Sequence, residues 1–172
     1  MQFGFVSAIV PELTLEQIFA MTADSGYNAV EVMCWPTGKA ERRYAEVTHI
    51  DVTGFDTAKA NAIKALSAKY GVQITALGYY PNVLSPDADE AERCIAHLRQ
   101  VITAAGILGV GANTFIGRDP AKSIDENWPQ FQKVWPDLIR HAESQNVRVG
   151  IENCPMYFSK DEWPSGKNLA VS

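Results

Sequence analysis

The 172-residue sequence predicts an α/β fold built on a parallel sheet, and two observations carry that expectation. Five short apolar runs, beginning near residues 3, 27, 72, 110 and 147, alternate with longer stretches of helical periodicity. Such alternation implies right-handed β–α–β crossovers, and therefore strands that run the same way. The fifth run, Val147-Arg148-Val149-Gly150-Ile151-Glu152-Asn153, sets β-branched side chains on one face and Arg148, Gly150 and Glu152 on the other. In parallel α/β folds ligands bind beyond the carboxyl ends of the strands, so a carboxylate at that end of a strand is placed for chemistry.

Residues 3–6 form a short first strand. Leu15, Ile18, Phe19 and Thr22 then recur at helical spacing; Thr14 can cap this helix, Glu16 lies in its first turn and Gly26 ends it. A second strand over 27–33 leads into a segment reaching residue 55, with Pro36, Gly38 and a charged stretch over 39–46, which is too long for a mere connector. Ala58, Ala62, Leu66 and Tyr70 mark a second helix, with Asp56 or Thr57 as cap and Gly71 at its end, before a third strand over 72–77. The longest helical pattern covers 87–108, with Ala91, Ile95, Leu98, Ile102 and Ala105 on one stripe, and Gly109 precedes a fourth strand over 110–115. A fourth helix over 127–146 uses Trp128, Phe131, Trp135, Leu138 and Ala142, and Pro136 is expected to kink or split it.

Two architectures satisfy this order, a doubly wound sheet and a (β/α)8 barrel. The first β–α turn, Val6-Ser7-Ala8-Ile9-Val10-Pro11, has neither a GxGxxG nor a Walker pattern, which weighs against the nucleotide-binding sheets. The strands recur every 36 residues on average. Eight such units need about 290 residues, within the usual size of a complete barrel, so the chain accommodates roughly five of eight. On that reading residues 1–172 are a single domain, the N-terminal portion of a barrel, and Ser172 could cap a next helix.

Composition narrows the function classes. With 47% hydrophobic and 20% charged residues the chain can bury a core like an ordinary globular domain. A net charge of -5 without a basic cluster argues against nucleic acid as a partner. No apolar run approaches the ~18 residues of a membrane span, and the N-terminus lacks a signal-peptide pattern, so no membrane association and a cytoplasmic location are expected. Cys34, Cys94 and Cys154 are odd in number and lack CxxC spacing, which points to reduced thiols.

The segment Val149-Gly150-Ile151-Glu152-Asn153-Cys154-Pro155-Met156, with Trp163-Pro164-Ser165-Gly166-Lys167-Asn168-Leu169 after it and Thr114-Phe115-Ile116-Gly117-Arg118-Asp119 before it, resembles the sugar phosphate isomerase/epimerase family of xylose isomerase-like TIM barrels. The similarity spans the chain and is most specific at the fifth strand. It implies an α/β fold of (β/α)8 TIM-barrel type, here about five βα units of an incomplete barrel. It further implies a divalent-metal-dependent isomerase or epimerase of a sugar, sugar phosphate or related polyol, acting through an enediolate. In that family a glutamate at the end of strand five binds the metal (Mn, Mg, Co or Zn) and serves as an acid/base carboxylate, which the resemblance places on Glu152. The remaining ligands, an aspartate, a histidine and a second glutamate, belong to strands six to eight and are absent from this chain, so no catalysis is expected of the isolated 172 residues. Proton transfer beside a sugar carbonyl asks for such a group, a base within reach of the carbon acid and a cation on the developing oxyanion.

Other residues are candidates for binding a small-molecule carbohydrate. Glu31, in Val30-Glu31-Val32, repeats the parity of Glu152 and could face the same mouth. Asn113 and Asn153 at strand ends can offer hydrogen bonds to hydroxyls. His49, with Arg42, Arg43 and Tyr44 upstream, and Arg118 in the fourth loop could meet a phosphate. Trp35, Tyr79, Tyr80, Phe115 and Trp163 follow strand ends, where rings either stack on sugars or pack the loops. His97 and His141 lie inside helical patterns and read as structural. Two rival functions stand beside the isomerase. One is an apurinic endonuclease-like hydrolase of the same superfamily, disfavoured because strands three and four end without histidine. The other is a non-catalytic barrel fragment that self-associates as a homo-oligomer through its open sheet edges.

Overall fold

The protein is described by a computed structural model that places residues 1–38, 46–154 and 166–170. Among these residues five strands and four helices alternate: β1 (Gly4–Val6), α1 (Leu15–Asp24), β2 (Ala29–Met33), α2 (Thr57–Tyr70), β3 (Gln73–Gly78), α3 (Ala88–Leu108), β4 (Gly111–Thr114), α4 (Ile124–Ser144) and β5 (Val149–Ile151), with one 3-10 turn (Ser7–Ile9) after β1. Local chemistry fixes most boundaries. Thr14 and Gln17 form a capping box on α1, Asp56 and Asp87 cap α2 and α3, and Gly71 and Gly109 end those helices in the left-handed conformation.

α4 departs from the sequence expectation twice. It begins at Ile124, because Ser123 and Glu126 form a capping box ahead of the aromatic pattern. It also runs through Pro129 and Pro136 without being split. Pro136 sits on the exposed side of the helix, where water can take up the carbonyl that its missing N–H leaves unpaired.

All strands are parallel, and their order in the sheet is β1-β2-β3-β4-β5. A doubly wound sheet reverses its strand order at a switch point. An order that never reverses is that of a barrel wall, so the fold is TIM-barrel-like with five strands. The main core lies between sheet and helices, with Val30, Val32, Ile74, Leu77 and Ala112 packed against Ile18, Phe19, Leu98, Ile102 and Leu138. A second, smaller cluster joins Ala8, Met33, Val47, Tyr80 and Phe115.

One irregularity orients the site. Val30 pairs with Ile74 but Glu31 pairs with Ala76, so β3 carries Thr75 as an extra residue, a β-bulge. From that point Ala76, Gly78 and Tyr80 alternate in phase with Glu31 and Met33, while Leu77 and Tyr79 turn to the main core. Among the described residues, the large apolar side chains left exposed lie toward the two ends of the sheet: Met1, Phe3, Val6, Ile9 and Tyr27 beside β1, and Ile124, Trp128, Ile139 and Ile151 on α4 and β5. No described helix is long and apolar enough to cross a membrane.

Candidate active site

Glu31 lies on the face of β2 opposite Val30 and Val32, which belong to the main core. Its half-buried carboxylate accepts hydrogen bonds from the Tyr80 hydroxyl and, at 2.6 Å, from Asn113 Nδ2. Glycines on the neighbouring strands make room for this group. A Cβ at Gly78 would stand 2.6 Å from Glu31 Oε1 and 3.2 Å from the Tyr80 ring, and a Cβ at Gly150 would stand 2.4 Å from Asn113 Oδ1. Burial pushes the Glu31 carboxyl above the ordinary glutamate range; the bonds from Tyr80 and Asn113 pull it down, and the charge of Glu152 pushes it up further. Burial raises the Tyr80 phenol well above its ordinary range, and the two carboxylates add to the shift, so this hydroxyl keeps its proton and donates it.

Glu152 follows β5 directly. Its N–H donates to the Thr114 carbonyl at 3.0 Å, and its own carbonyl accepts from Asn168 Nδ2 at 3.0 Å. Asn168 is wholly buried; it also donates to the Cys154 carbonyl, at 2.7 Å, and accepts from the Ile116 N–H, at 3.0 Å, tying the ends of β4 and β5 together. The Glu152 residue is exposed, and with Tyr80, Asn113, Gly150 and Ile151 it lines an open pocket of about 200 Å³.

The structure thus gathers Glu31, Asn113 and Glu152 at one place and adds Tyr80. The sequence marked Tyr80 only as a ring after a strand and Asn168 only as part of a motif; no local pattern announces hydrogen bonds across such distances in the chain. Asn153 is exposed on the loop leaving β5. His49 stands elsewhere, with Nδ1 2.8 Å from the buried Ser7 Oγ, which also accepts the Met33 N–H; burial lowers the His49 pKa. Trp35 packs edge-on against Tyr79 at 4.9 Å, beside a separate pocket of about 380 Å³ lined also by Glu90, Arg93 and Cys94. Arg118 is buried in the loop after β4, its Nη2 donating to the Lys122 carbonyl and its N–H to Asn82 Oδ1. His97 bonds the Cys34 carbonyl, and His141 contacts Thr103 and the Arg99 carbonyl across α3 and α4. Arg42, Arg43, Tyr44 and Trp163 lie outside the described residues.

Among the described residues no group of three or more His, Cys, Asp or Glu side chains converges to hold a metal ion. Glu152 offers a single exposed carboxylate, where a hard divalent cation takes about six ligands. The chain as described therefore does not fit a complete metal centre.

Two outcomes follow from this geometry. Replacing Asn168, itself wholly buried, with Ala strands the part-buried Ile116 N–H and the carbonyls it serves, and should cost about 1–3 kcal/mol in denaturant unfolding. The second concerns pH. Glu31 has a raised folded pKa, so the stability it contributes is fully present below its unfolded value of about 4.3 and is lost as pH rises through the folded one. Unfolding free energies measured from acid to neutral pH should show the unmodified protein losing stability relative to Glu31→Gln as pH rises; a difference independent of pH would contradict this account of the Glu31 environment.

Residues 19–167 match the family described as xylose isomerase-like TIM barrel. No curated protein sequence matches the chain. Among solved structures, D-psicose 3-epimerase with D-tagatose from Clostridium cellulolyticum H10 superposes with a TM-score of 0.65 at 16% identity, over 93% of this chain and 55% of that one. D-psicose 3-epimerase in the presence of D-fructose gives 0.62 at 13% identity, over 96% and 61%. A xylose isomerase domain protein from Planctomyces limnophilus gives 0.60 at 13% identity, over 95% and 60%. The chain thus spans little more than half the length of the structures it matches, and at such identities the likeness is one of fold. With the family match, the parallel order of the five strands and their helices, the chain belongs to the xylose isomerase-like TIM barrel family.

Proposed function

We propose that this chain carries part of the active site of a sugar isomerase or epimerase, with Glu152 as its acid/base carboxylate. The observation that supports this reading is the placement of Glu152. It stands at the carboxyl end of β5, exposed, in a pocket shared with Tyr80 and Asn113, both of which are hydrogen-bonded to the half-buried Glu31. Such a carboxylate takes the proton from the carbon beside a sugar carbonyl, and the electron pair of that C–H bond forms the enediolate double bond; return of a proton to the opposite face of the same carbon gives the epimer, whereas return to the former carbonyl carbon, with the hydroxyl proton of the first carbon passing to the enediolate oxygen, gives the isomer. The family resemblance implies a divalent metal, of which Glu152 would be one ligand; the described residues do not supply the others. The substrate class, a neutral ketose or a related polyol, is suggested by neighbours crystallised with D-tagatose and D-fructose.

Replacing Glu152 with Gln keeps the shape and removes the base. In the protein expressed from its complete gene, ketose turnover should fall by about 10² or more. Rates near those of the unmodified protein would end the assignment.

We further propose that the 172-residue chain by itself associates with copies of itself. Among the described residues no strand pairs with the outer edge of β1 or of β5, and the exposed apolar side chains gather toward those two ends of the sheet. Light scattering across a concentration series should give a mass that climbs above 18.9 kDa. A constant monomer mass with cooperative unfolding would show that the edges need no cover.

A further inference from the structure

The floor of the Glu152 pocket has a fixed hydrogen-bonding polarity, and Glu31 sets it. An amide has one donating and one accepting end, and a phenol has one proton beside its lone pairs, whereas an ionised carboxylate only accepts. Asn113 donates Nδ2 to Glu31, which turns its Oδ1 the other way, toward Gly150 and the pocket lined by Ile151 and Glu152. Tyr80 gives its only proton to the same carboxylate, and the Glu152 carboxylate stands close to the same hydroxyl, so Tyr80 has no donor left for a ligand. Glu152 adds a second carboxylate at the rim. No cation is among the described residues that line this pocket. The arrangement is built into the backbone, because any side chain at Gly78 would strike the Glu31 carboxylate or the Tyr80 ring, and any at Gly150 would displace the Asn113 oxygen.

We propose that Glu31 is a positioning and specificity-determining residue: by drawing the Asn113 amide and the Tyr80 hydroxyl onto itself, it makes the pocket beneath Glu152 a set of acceptors that selects the neutral vicinal hydroxyls of a polyol and rejects an anionic group. This rests on the isomerase/epimerase reading and specifies how that site recognises its substrate. A vicinal diol brings two donors to adjacent positions, which the Asn113 oxygen and the Glu152 carboxylate can share. A phosphate or carboxylate brings negative charge and acceptors, and meets more of the same.

Glu31→Gln tests the proposal with little change of shape, because one arm of the new side chain donates and forces Tyr80 or Asn113 to turn over. Using the protein expressed from its complete gene and D-fructose as the probe, the substitution should raise Kd at least about tenfold, as loss of hydrogen bonds to a charged group does. In turnover KM should rise more than kcat falls. The Asn113 side-chain N–H resonance should lose the downfield shift of an amide bound to carboxylate, which shows that the bond is gone, while the rise in KM ahead of kcat is the effect that a merely structural role for Glu31 would not produce. Gly150→Ala provides a second route that leaves Glu31 in place; its methyl pushes on the Asn113 oxygen, and the same loss of D-fructose affinity is expected. Inorganic phosphate should not compete with D-fructose. Binding that survives both substitutions, or displacement of D-fructose by phosphate, overturns the proposal alone. Failure of the unmodified protein to bind D-fructose overturns it together with the functional reading beneath it.

Discussion

Register decides what the mouth of this sheet presents. β3 carries one residue more than β2 opposite it, and the extra residue, Thr75, shifts the alternation of everything downstream by one position. Tyr80 thereby reaches the face that holds Glu31, while Leu77 and Tyr79 join the main core. Were the pairing regular, Tyr79 and not Tyr80 would follow on the Glu31 side, and the carboxylate would lose one of its two donors. The hydrogen-bonded group of Glu31, Tyr80 and Asn113, and through it the shape of the Glu152 pocket, depends on that single bulge.

A half-buried carboxylate close to a second carboxylate is an expensive element in a sheet whose other face is apolar. Burial and the charge of Glu152 both disfavour its ionised form. Two hydrogen bonds offset part of this cost, one of them from an amide donor at 2.6 Å. Room for the group is provided by the absence of side chains at Gly78 and Gly150, where a Cβ could not fit without moving oxygen atoms. A fold under selection for packing alone has a simpler solution, an apolar residue at position 31. A charged cluster at the carboxyl ends of parallel strands accords with a role in recognition, since buried and perturbed ionisable groups gather at functional sites.

Much of the fold was legible in the sequence because its signals are local. The spacing of Ile18, Phe19 and Thr22, the caps at Thr14 and Asp87, and the glycines at 71 and 109 mark element ends by chemistry that acts within a few residues. The aromatic stripe by itself marks a later start for α4 than the structure has, because Ser123 and Glu126 decide the boundary. Strand parity placed Glu31 and Glu152 on inward faces, and that was enough to single them out. The floor between them was hidden. It joins residues 82 positions apart in Asn113 and Glu31, and 49 apart in Tyr80 and Glu31, through a bulge that no local pattern encodes. Gly150 read as space beneath Glu152, but the space it leaves is filled by the Asn113 amide.

Proton transfer at Glu152 above this floor is the central chemical event of the proposed reaction. The most direct measurement is hydrogen exchange on a bound ketose: the protein expressed from its complete gene is incubated with D-fructose in D2O, and deuterium entering the carbon beside the carbonyl is followed by NMR. Deuterium incorporation by the unmodified protein, lost in Glu152→Gln, is the predicted result. Incorporation that persists undiminished without the Glu152 carboxylate, or no incorporation at all, would contradict it.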